Sequence, residues 1–141
     1  MKSIEDIMSK KVITAESNTK VEDAAKLLEK YKIGSLIITE GKNTVGIVTE
    51  RDITYRYVAR QKDNGNKEAI LKNIMSSPLI TLSLDNNPNV MDAIVTMHKH
   101  KIKRICIMKK GKLIGVLAEL DLFKDLAESY VNNLKKMIKR L

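Results

Sequence analysis

The sequence is poor in aromatic residues and has a single cysteine. It contains no tryptophan and one phenylalanine, so isoleucine, leucine, valine and methionine must fill the interior. Cys106 has no partner for an intramolecular disulfide, and its apolar setting in Ile105–Met108 indicates a buried, reduced thiol. No run approaches the roughly 20 apolar residues that cross a bilayer, and the charged amino terminus lacks the apolar core of a signal peptide. We therefore expect a cytoplasmic protein that does not enter the membrane.

The sequence also lacks the residue patterns of an enzyme or a metal site. No Ser-His-Asp, Cys-His or paired-carboxylate arrangement is visible, and Cys106 has no neighbouring base in its strand. His98 and His100 are two residues apart, so they would not share a helix face, and no second pair of ligands accompanies them. The sequence thus predicts a protein that is not an enzyme, with no catalytic residues, no metal site and no required cofactor.

Acidic residues are scarce in the last third of the chain. The 141 residues fit one compact domain or two small halves, and the 43% of hydrophobic residues can form a core. The net charge is +9, and residues 98–141 hold 12 basic and 4 acidic side chains. Between Lys99 and Lys112 there are seven basic residues and no acidic one. This segment is a candidate surface for phosphate or nucleic acid; scattered, solvated lysines are the alternative.

The chain repeats itself. Ile7–Ser9 returns as Ile74–Ser76 after 67 residues, and Val21–Ala25 returns as Val90–Ile94 after 69 residues. The two additional residues of the second copy fall in a loop near Asn86–Pro88. Each copy therefore encodes the same small unit.

The periodicity predicts the same elements in both copies: an extended segment, a polar loop, an amphipathic helix, two strands joined by a turn, and a closing helix. The predicted elements are an extended segment around Ile13, a helix over 21–31, strands over 35–39 and 44–48, and a helix from about 50 to 60, then an extended segment around Ile80, a helix over 90–98, strands over 104–108 and 113–117, and a helix from about 119 onward. Residues 61–67 read as an exposed loop.

Three domains follow from these elements. We predict a first repeat over residues 1–66, a second repeat over residues 67–126, and a basic helical extension over residues 127–141. An apolar stripe continues almost to the end of the last helix. Its inner part is expected to pack on the repeats, and its outer part either contacts another subunit or frays into solvent.

One motif recurs in both copies. Val45–Asp52 returns as Ile114–Asp121, and each copy runs from an apolar strand with an internal glycine to an Asp in the first turn of a helix. A helix start suits an anion, and an Asp there can accept hydrogen bonds from the two neighbouring hydroxyls of a ribose. The alternative is a capping box, in which Thr49 and Asp52 only close the helix. The repetition, with Ala118 in place of a cap residue, favours a ligand.

These features resemble a tandem pair of CBS domains, the repeat named after cystathionine beta-synthase. The resemblance covers residues 7 to about 123 and rests on the order of four parts: the Ile-Met-Ser opening, the first helix, the strand after Ile33-Gly34-Ser35, and the closing Gly-x-x-Thr-x-x-Asp. It implies an α/β (α+β) fold of two β-α-β-β-α repeats packed with pseudo-twofold symmetry, followed here by an extended C-terminal helix. It also implies two clefts that bind adenosine-containing ligands such as AMP, ADP, ATP or S-adenosylmethionine, and association into a homodimer.

The resemblance carries over to individual residues. It implies a main cleft with a ribose-binding corner, an adenine-lining segment and a phosphate-binding pair, namely Thr49, Asp52, Ile80, Thr81, Lys103 and Arg104. It implies a second, weaker cleft that uses Thr14, Gly34, Ser35 and Asp121. The second cleft departs from the pattern because Ala118 replaces the hydroxyl residue and no cation corresponds to Lys103 and Arg104. We therefore expect a phosphorylated ligand in the main cleft, and either no ligand, weaker binding or an uncharged adenosyl group in the second.

Two functions follow from the sequence. The first is a stand-alone regulatory sensor whose adenosyl ligand changes its shape, its association or its contact with a partner protein. The second is an adaptor for nucleic acid or a partner protein that acts through the basic last third, with structural clefts. The second is the weaker prediction, because the chain has few aromatic residues for base stacking and no helix-turn-helix pattern.

Overall fold

The computed structural model describes residues 2–61 and 68–141, so the predicted loop at 61–67 lies almost wholly outside the described residues. The chain divides into two compact units, residues 12–80 and residues 1–11 with 81–141. Each unit contains a three-stranded sheet. The predicted class, two β-α-β-β-α repeats with an extended C-terminal helix, is confirmed.

The regular elements follow one another in nearly the predicted positions. In chain order they are α1 (Ile4–Ile7), β1 (Thr14–Glu16), α2 (Val21–Tyr31), β2 (Ser35–Glu40), β3 (Asn43–Thr49), α3 (Glu50–Asp52), α4 (Leu71–Ile74), β4 (Thr81–Ser83), α5 (Val90–His100), β5 (Arg104–Lys109), β6 (Lys112–Ala118) and α6 (Glu119–Lys139). After α3 the chain continues as a π-helix, Ile53–Tyr57, and a 3-10 turn, Val58–Arg60, so the segment predicted as a helix from about 50 to 60 is helical but α-helical only over its first three residues. A further 3-10 turn, Leu84–Asn86, lies where the second copy has its additional residues.

The two sheets have the same topology and register. The strand orders are β1-β2-β3 and β4-β5-β6, with the first pair parallel and the second pair antiparallel in each sheet. The three middle residues of each central strand are almost fully buried: Leu36–Ile38 in β2 and Ile105–Ile107 in β5. Both faces of these strands are therefore covered, as their continuous apolar sequence predicts.

Helices α2 and α5 bury one face each, in α5 through Ala93 and Met97. In α2, Val21, Ala24 and Leu28 are buried at helical spacing, and the helix ends where Lys32 adopts the left-handed conformation. In α5, the Asn89 side chain accepts a hydrogen bond from the backbone N–H of Asp92, and the Asp92 carboxylate accepts one from the Asn89 N–H. This capping box fixes the start of the second long helix.

We call the described residues that begin each sequence repeat, 2–11 in the first and 68–80 in the second, its leading segment. Each leading segment belongs to the compact unit that holds the strands of the other repeat. Ser9 exchanges two backbone hydrogen bonds with Val116, at 2.9 and 3.0 Å, and Ser76 exchanges two with Ile47, at 2.9 and 3.1 Å. The compact units therefore divide the chain after residues 11 and 80, whereas the predicted repeats divide it after residue 66. The sequence repeat and the packed unit are different segments of this chain.

The glycines inside the recurring strands make these contacts possible. A Cβ atom at Gly46 would lie 2.7 Å from the backbone oxygen of Ser76, and one at Gly115 would lie 2.9 Å from that of Ser9. Such distances are shorter than side chains tolerate without displacing backbone. The internal glycine of the motif thus admits the leading segment against the edge strand.

Candidate functional site

The first candidate site is the corner where β3 ends and α3 begins. The Thr49 N–H donates to Asp52 Oδ2 at 2.9 Å, and the Thr49 hydroxyl also donates to Oδ2 at 3.2 Å. The Asp52 N–H donates to Thr49 Oγ1 at 3.3 Å. The capping box that the sequence left as an alternative is therefore present. It does not exclude a ligand, because a carboxylate has a second oxygen.

That second oxygen faces a cation that the sequence analysis did not single out. Asp52 Oδ1 lies 3.6 Å from Nε of Arg56, and the Asp52 side chain is only 13% exposed. Arg56 Nη1 donates to the carbonyl oxygens of Ile74 and Met75, at 3.1 and 3.3 Å. The sequence feature that could have identified Arg56 is its four-residue spacing from Asp52, because residues four apart in a helix lie on the same face. A ligand hydroxyl would share Oδ1 with a guanidinium that also holds the end of α4.

The second candidate site is the corner between β6 and α6. The Ala118 N–H donates to Asp121 Oδ2 at 2.9 Å. The sequence argument that capping could not account for Asp121 is therefore wrong, because the bond uses the backbone of residue 118 and needs no side-chain oxygen there. Asp121 Oδ1 has no hydrogen bond or ion pair within residues 2–61 and 68–141. It is the freer of the two acceptors.

Two residues expected in the second cleft adjoin the first corner. The Glu50 N–H donates to the carbonyl oxygen of Gly34 at 3.2 Å, and Ser35 pairs with Thr49 across the antiparallel strands. Thr14 lies in the same sheet, where it pairs with Ile37. Two of the hydroxyl side chains of this sheet, Ser35 and Thr49, thus lie side by side at one end of it.

The basic pair adjoins the second corner. The Glu119 N–H donates to the carbonyl oxygen of Lys103 at 2.8 Å, and Arg104 pairs with Ala118 across the strands. An open depression of about 330 Å³ lies beside them, lined by Lys103, Arg104, Ala118, Glu119, Leu120 and Phe123. Within this unit, two cations and the start of a long helix therefore face the same depression, an arrangement that suits an anion.

The residues predicted for the main cleft are divided between the two units. Thr49, Asp52 and Ile80 belong to the unit of residues 12–80, whereas Thr81, Lys103 and Arg104 belong to the unit of residues 1–11 and 81–141. Those predicted for the second cleft are also divided. Asp121 belongs to the unit of residues 1–11 and 81–141, and the unit of residues 12–80 contains Thr14, Gly34 and Ser35.

The basic residues between Lys99 and Lys112 form two groups rather than one stripe. The first group lies at the end of α5 and the start of β5 (Lys99, Lys101, Lys103 and Arg104), and the second lies where β5 turns into β6 (Lys109, Lys110 and Lys112). With about 3.4 Å per residue, the strand separates the two groups by roughly 17 Å. In the second group, Lys109 Nζ lies 3.8 Å from a Glu5 carboxylate oxygen. This separation weakens the prediction of a continuous nucleic-acid surface.

Of the remaining chemically notable side chains, Cys106 lies inside a strand, whereas His98 lines a depression of about 450 Å³ that Lys103 and Glu119 of the second corner also line. Cys106 is buried in β5, as predicted, and burial raises the pKa of its thiol to about 12, so the nucleophilic thiolate does not form near neutral pH. His98 and His100 are exposed in the last turn of α5. Within residues 2–61 and 68–141, no three or more histidine, cysteine or acidic side chains lie close enough together to hold a metal ion. Among the same residues, no helix is long and apolar enough to span a bilayer.

Comparison with known proteins identifies the repeats. The family model of the CBS domain matches residues 4–59 and 71–128. The chain is 31% identical to the CBS domain-containing protein YhcV of Bacillus subtilis, over 86% of the chain and 84% of YhcV. Its structure is similar to that of the CBS domain pair of protein MJ0100 in complex with 5′-methylthioadenosine and S-adenosyl-L-methionine, with a TM-score of 0.77 and 27% identity over 92% of this chain and 98% of that one.

Some relatives are much longer than this chain. It is 30% identical to an inosine-5′-monophosphate dehydrogenase of Korarchaeum cryptofilum over 87% of its length, but it spans only 24% of that enzyme. It is 35% identical to an uncharacterized protein of Methanopyrus kandleri over 86% of its length and spans 61% of that protein. The matched segment therefore occurs both as most of a protein and as part of a larger one.

Proposed function

Because the chain belongs to the CBS domain family, we propose that it is a regulatory module that binds an adenosine-containing ligand and has no catalytic activity of its own. The observation that carries this proposal is its likeness, over nearly its whole length, to a CBS pair bound to S-adenosyl-L-methionine and 5′-methylthioadenosine. The two Asp corners provide the chemistry for such a ligand, since each presents a fixed carboxylate oxygen beside a helix start.

Each corner is suited to hold a ribose. The capping bonds to Oδ2 hold the carboxylates of Asp52 and Asp121 in one orientation, so Oδ1 is positioned before a ligand arrives. A carboxylate fixed in this way loses little conformational freedom when it accepts hydrogen bonds from the 2′- and 3′-hydroxyls. The corners then recognise the part that AMP, ADP, ATP and S-adenosylmethionine share.

Lys103 and Arg104 would distinguish these ligands. A guanidinium can donate two parallel hydrogen bonds to a phosphate, and an ammonium adds a point charge. We propose that the pair selects a phosphorylated ligand in a main site with Thr49, Asp52, Ile80 and Thr81. Thr14, Gly34, Ser35 and Asp121 would form the second, weaker site. The rival assignment, in which the pair serves the ligand at Asp121, is favoured by its place beside that corner.

Regulation requires that the ligand bind one state of the protein better than another. We propose that the output is a change in association of two copies or in contact with a partner protein. Arg56 contacts both Asp52 and the end of α4, so it offers one way for a bound ligand to alter the position of α4. A hydroxyl that displaces Arg56 from Oδ1 would free a guanidinium that otherwise holds α4.

The proposal is tested by calorimetric titration of ligand-stripped protein with AMP, ATP and S-adenosylmethionine. We expect at least one of these to bind, and we expect Asp52→Ala to weaken binding by about 100-fold, because two hydrogen bonds to a charged acceptor are lost. The matched control is Asp92→Ala, which removes the same capping bonds from α5 and leaves both corners intact. It should bind like the native protein.

Arg104 variants show which Asp corner binds the ribose of the ligand whose phosphate Arg104 binds. If the main site is as proposed, Arg104→Ala weakens AMP binding in native protein but has little further effect in Asp52→Ala, whereas its effect persists in Asp121→Ala. The reverse pattern would assign Arg104 to the Asp121 corner. Absence of binding by all three ligands, or full binding by both Asp variants, would contradict the proposed function.

A further inference from the structure

The C-terminal helix presents an apolar face that its own unit does not cover. Asp121, Leu122 and Asp125 are the partly buried residues of α6, and Lys2 reaches Asp125 and Glu128 across this side, with Nζ–oxygen distances of 3.9 and 3.2 Å. The large apolar residues lie on the other side, where Phe123 is 67%, Tyr130 65% and Met137 63% exposed. The expectation that the inner part of the apolar stripe packs on the repeats holds for the half-buried Leu122 and is wrong for Phe123 and Leu126.

The exposed residues follow the spacing of a coiled coil. Steps of three and four residues alternate without interruption through Leu120, Phe123, Ala127, Tyr130, Leu134, Met137 and Leu141, which we call the seam. Leu126, Val131 and Ile138 widen the seam at its edges and are also exposed. A face of this size on a helix of about 32 Å is larger than monomeric proteins usually leave in water. The alternating spacing indicates that another helix covers it.

The charges of α6 indicate which helix that is. Residues 119–130 carry four acidic and one basic side chain, and residues 131–141 carry four basic and no acidic ones. A second copy running antiparallel would place its basic half beside the acidic half of the first. A parallel copy would place the two basic halves together, which is unfavourable. The helix is thus complementary to itself in one orientation only.

The sizes of the seam residues specify the register. We propose that two copies of this chain pair through antiparallel α6 helices, centred between residues 128 and 129. The facing residues are then Leu120 with Met137, Phe123 with Leu134, and Ala127 with Tyr130, each occurring twice by symmetry. The small Ala127 receives the large Tyr130 of the second copy, so the central layers fill evenly. In a parallel pair, Ala127 would face Ala127 and leave a gap. At the edge of the antiparallel pair, Glu119 meets Arg140 of the second copy.

The proposal concerns an interface and does not depend on a bound adenosyl ligand. Light scattering on the purified full chain should give twice the chain mass of 15.9 kDa at micromolar concentration. Leu134→Lys should weaken the dimer at least about 100-fold, because it places two charges in the seam. The control is Asn132→Lys, which adds the same charge on the polar side of the exposed helix and should leave the dimer intact. Leu134 lies outside the folded core, so both variants should keep the native circular dichroism spectrum.

Cross-linking tests the orientation. A protein with Leu120→Cys, mixed with a protein with Met137→Cys and mildly oxidised, should form the mixed disulfide, and neither should cross-link efficiently to itself. Cys106 is buried and does not compete. A native protein that is monomeric, a dimer that survives Leu134→Lys, or self-linked Leu120→Cys as the main product would each overturn the proposal.

Discussion

Leu71→Ala is expected to destabilise the unit of residues 12–80 by about 2–5 kcal/mol, the range for removing a large apolar side chain from a packed core. Leu71 is fully buried, and it packs in a cluster with residues of the first repeat that includes Val21, Leu28 and Leu36. Its backbone is held as well, since the Leu71 N–H donates to the Thr19 carbonyl oxygen at 2.9 Å. A residue that opens the second sequence repeat is thus part of the core of the unit that contains most of the first repeat.

Hydrogen exchange measures this effect unit by unit. In Leu71→Ala, protection should fall most for the amides of β2, and in Ile4→Ala it should fall most for those of β5, because Ile4 is buried in the other unit. Lys72→Ala is the local control. Its side chain is exposed and makes one ion pair, with Glu40 at 3.7 Å, so it should cost less than about 1 kcal/mol. Loss of protection confined to β5 in Leu71→Ala would contradict the exchange of leading segments.

Gly46→Ala is expected to destabilise the same unit by at least about 2 kcal/mol, because the added methyl group overpacks a closed contact. Its Cβ would lie 2.7 Å from the Ser76 oxygen and 2.9 Å from the Met75 sulfur. The flexible Met75 side chain can move aside, but the Ser76 oxygen belongs to the backbone and accepts the Ile47 N–H. The methyl group must therefore push the leading segment away from β3.

Chemical denaturation of Gly46→Ala and Gly41→Ala provides the comparison. Gly41 has a positive φ of 61° and nothing within 4 Å of an added Cβ, so alanine there should cost about 1 kcal/mol of backbone strain alone. We expect Gly46→Ala to be the more destabilised variant even though its backbone conformation is ordinary. Equal stability of Gly46→Ala and the native protein would show that Ser76 does not lie against β3.

The spacing of apolar residues predicted most of the helices and strands, because side chains return to the same face about every 3.6 residues in a helix and every 2 residues in a strand. The helix over 21–31 has the predicted bounds, and the strand predicted over 104–108 extends by one residue to Lys109. The extended segment expected around Ile80 begins one residue later, at Thr81. Boundaries shifted where the final hydrogen bonds of a strand or helix, rather than apolar spacing, determine its end.

The exchange of leading segments could not be predicted from the same patterns. The Ile-Met-Ser segments are alike, and both receiving strands have a glycine at the contact, Gly46 and Gly115. Either leading segment therefore fits either strand by sequence. The choice depends on contacts between residues distant in the chain, which a single sequence does not reveal.

The sequence predicted where the two Asp corners lie, but it did not predict which other residues contact them. The sequence located both corners, but it could not show that a backbone N–H alone, at Ala118, completes the second cap. It also missed Arg56, whose role depends on the end of α4 being close by. Which residues from the two units act on one ligand stays a prediction.

The central claim, that an adenosyl ligand binds at the Asp corners, is tested most directly by amide NMR of the full chain during titration with S-adenosylmethionine or AMP. We expect the largest shift changes at the Thr49–Asp52 or Ala118–Asp121 amides, because the Thr49 and Ala118 N–H groups donate to the Asp carboxylates and the Asp52 N–H donates to the Thr49 hydroxyl oxygen. They should saturate at the affinity measured by calorimetry and disappear in the matching Asp variant. Unchanged corner amides, with shifts confined to the basic turn after β5 or to the end of α6, would contradict it.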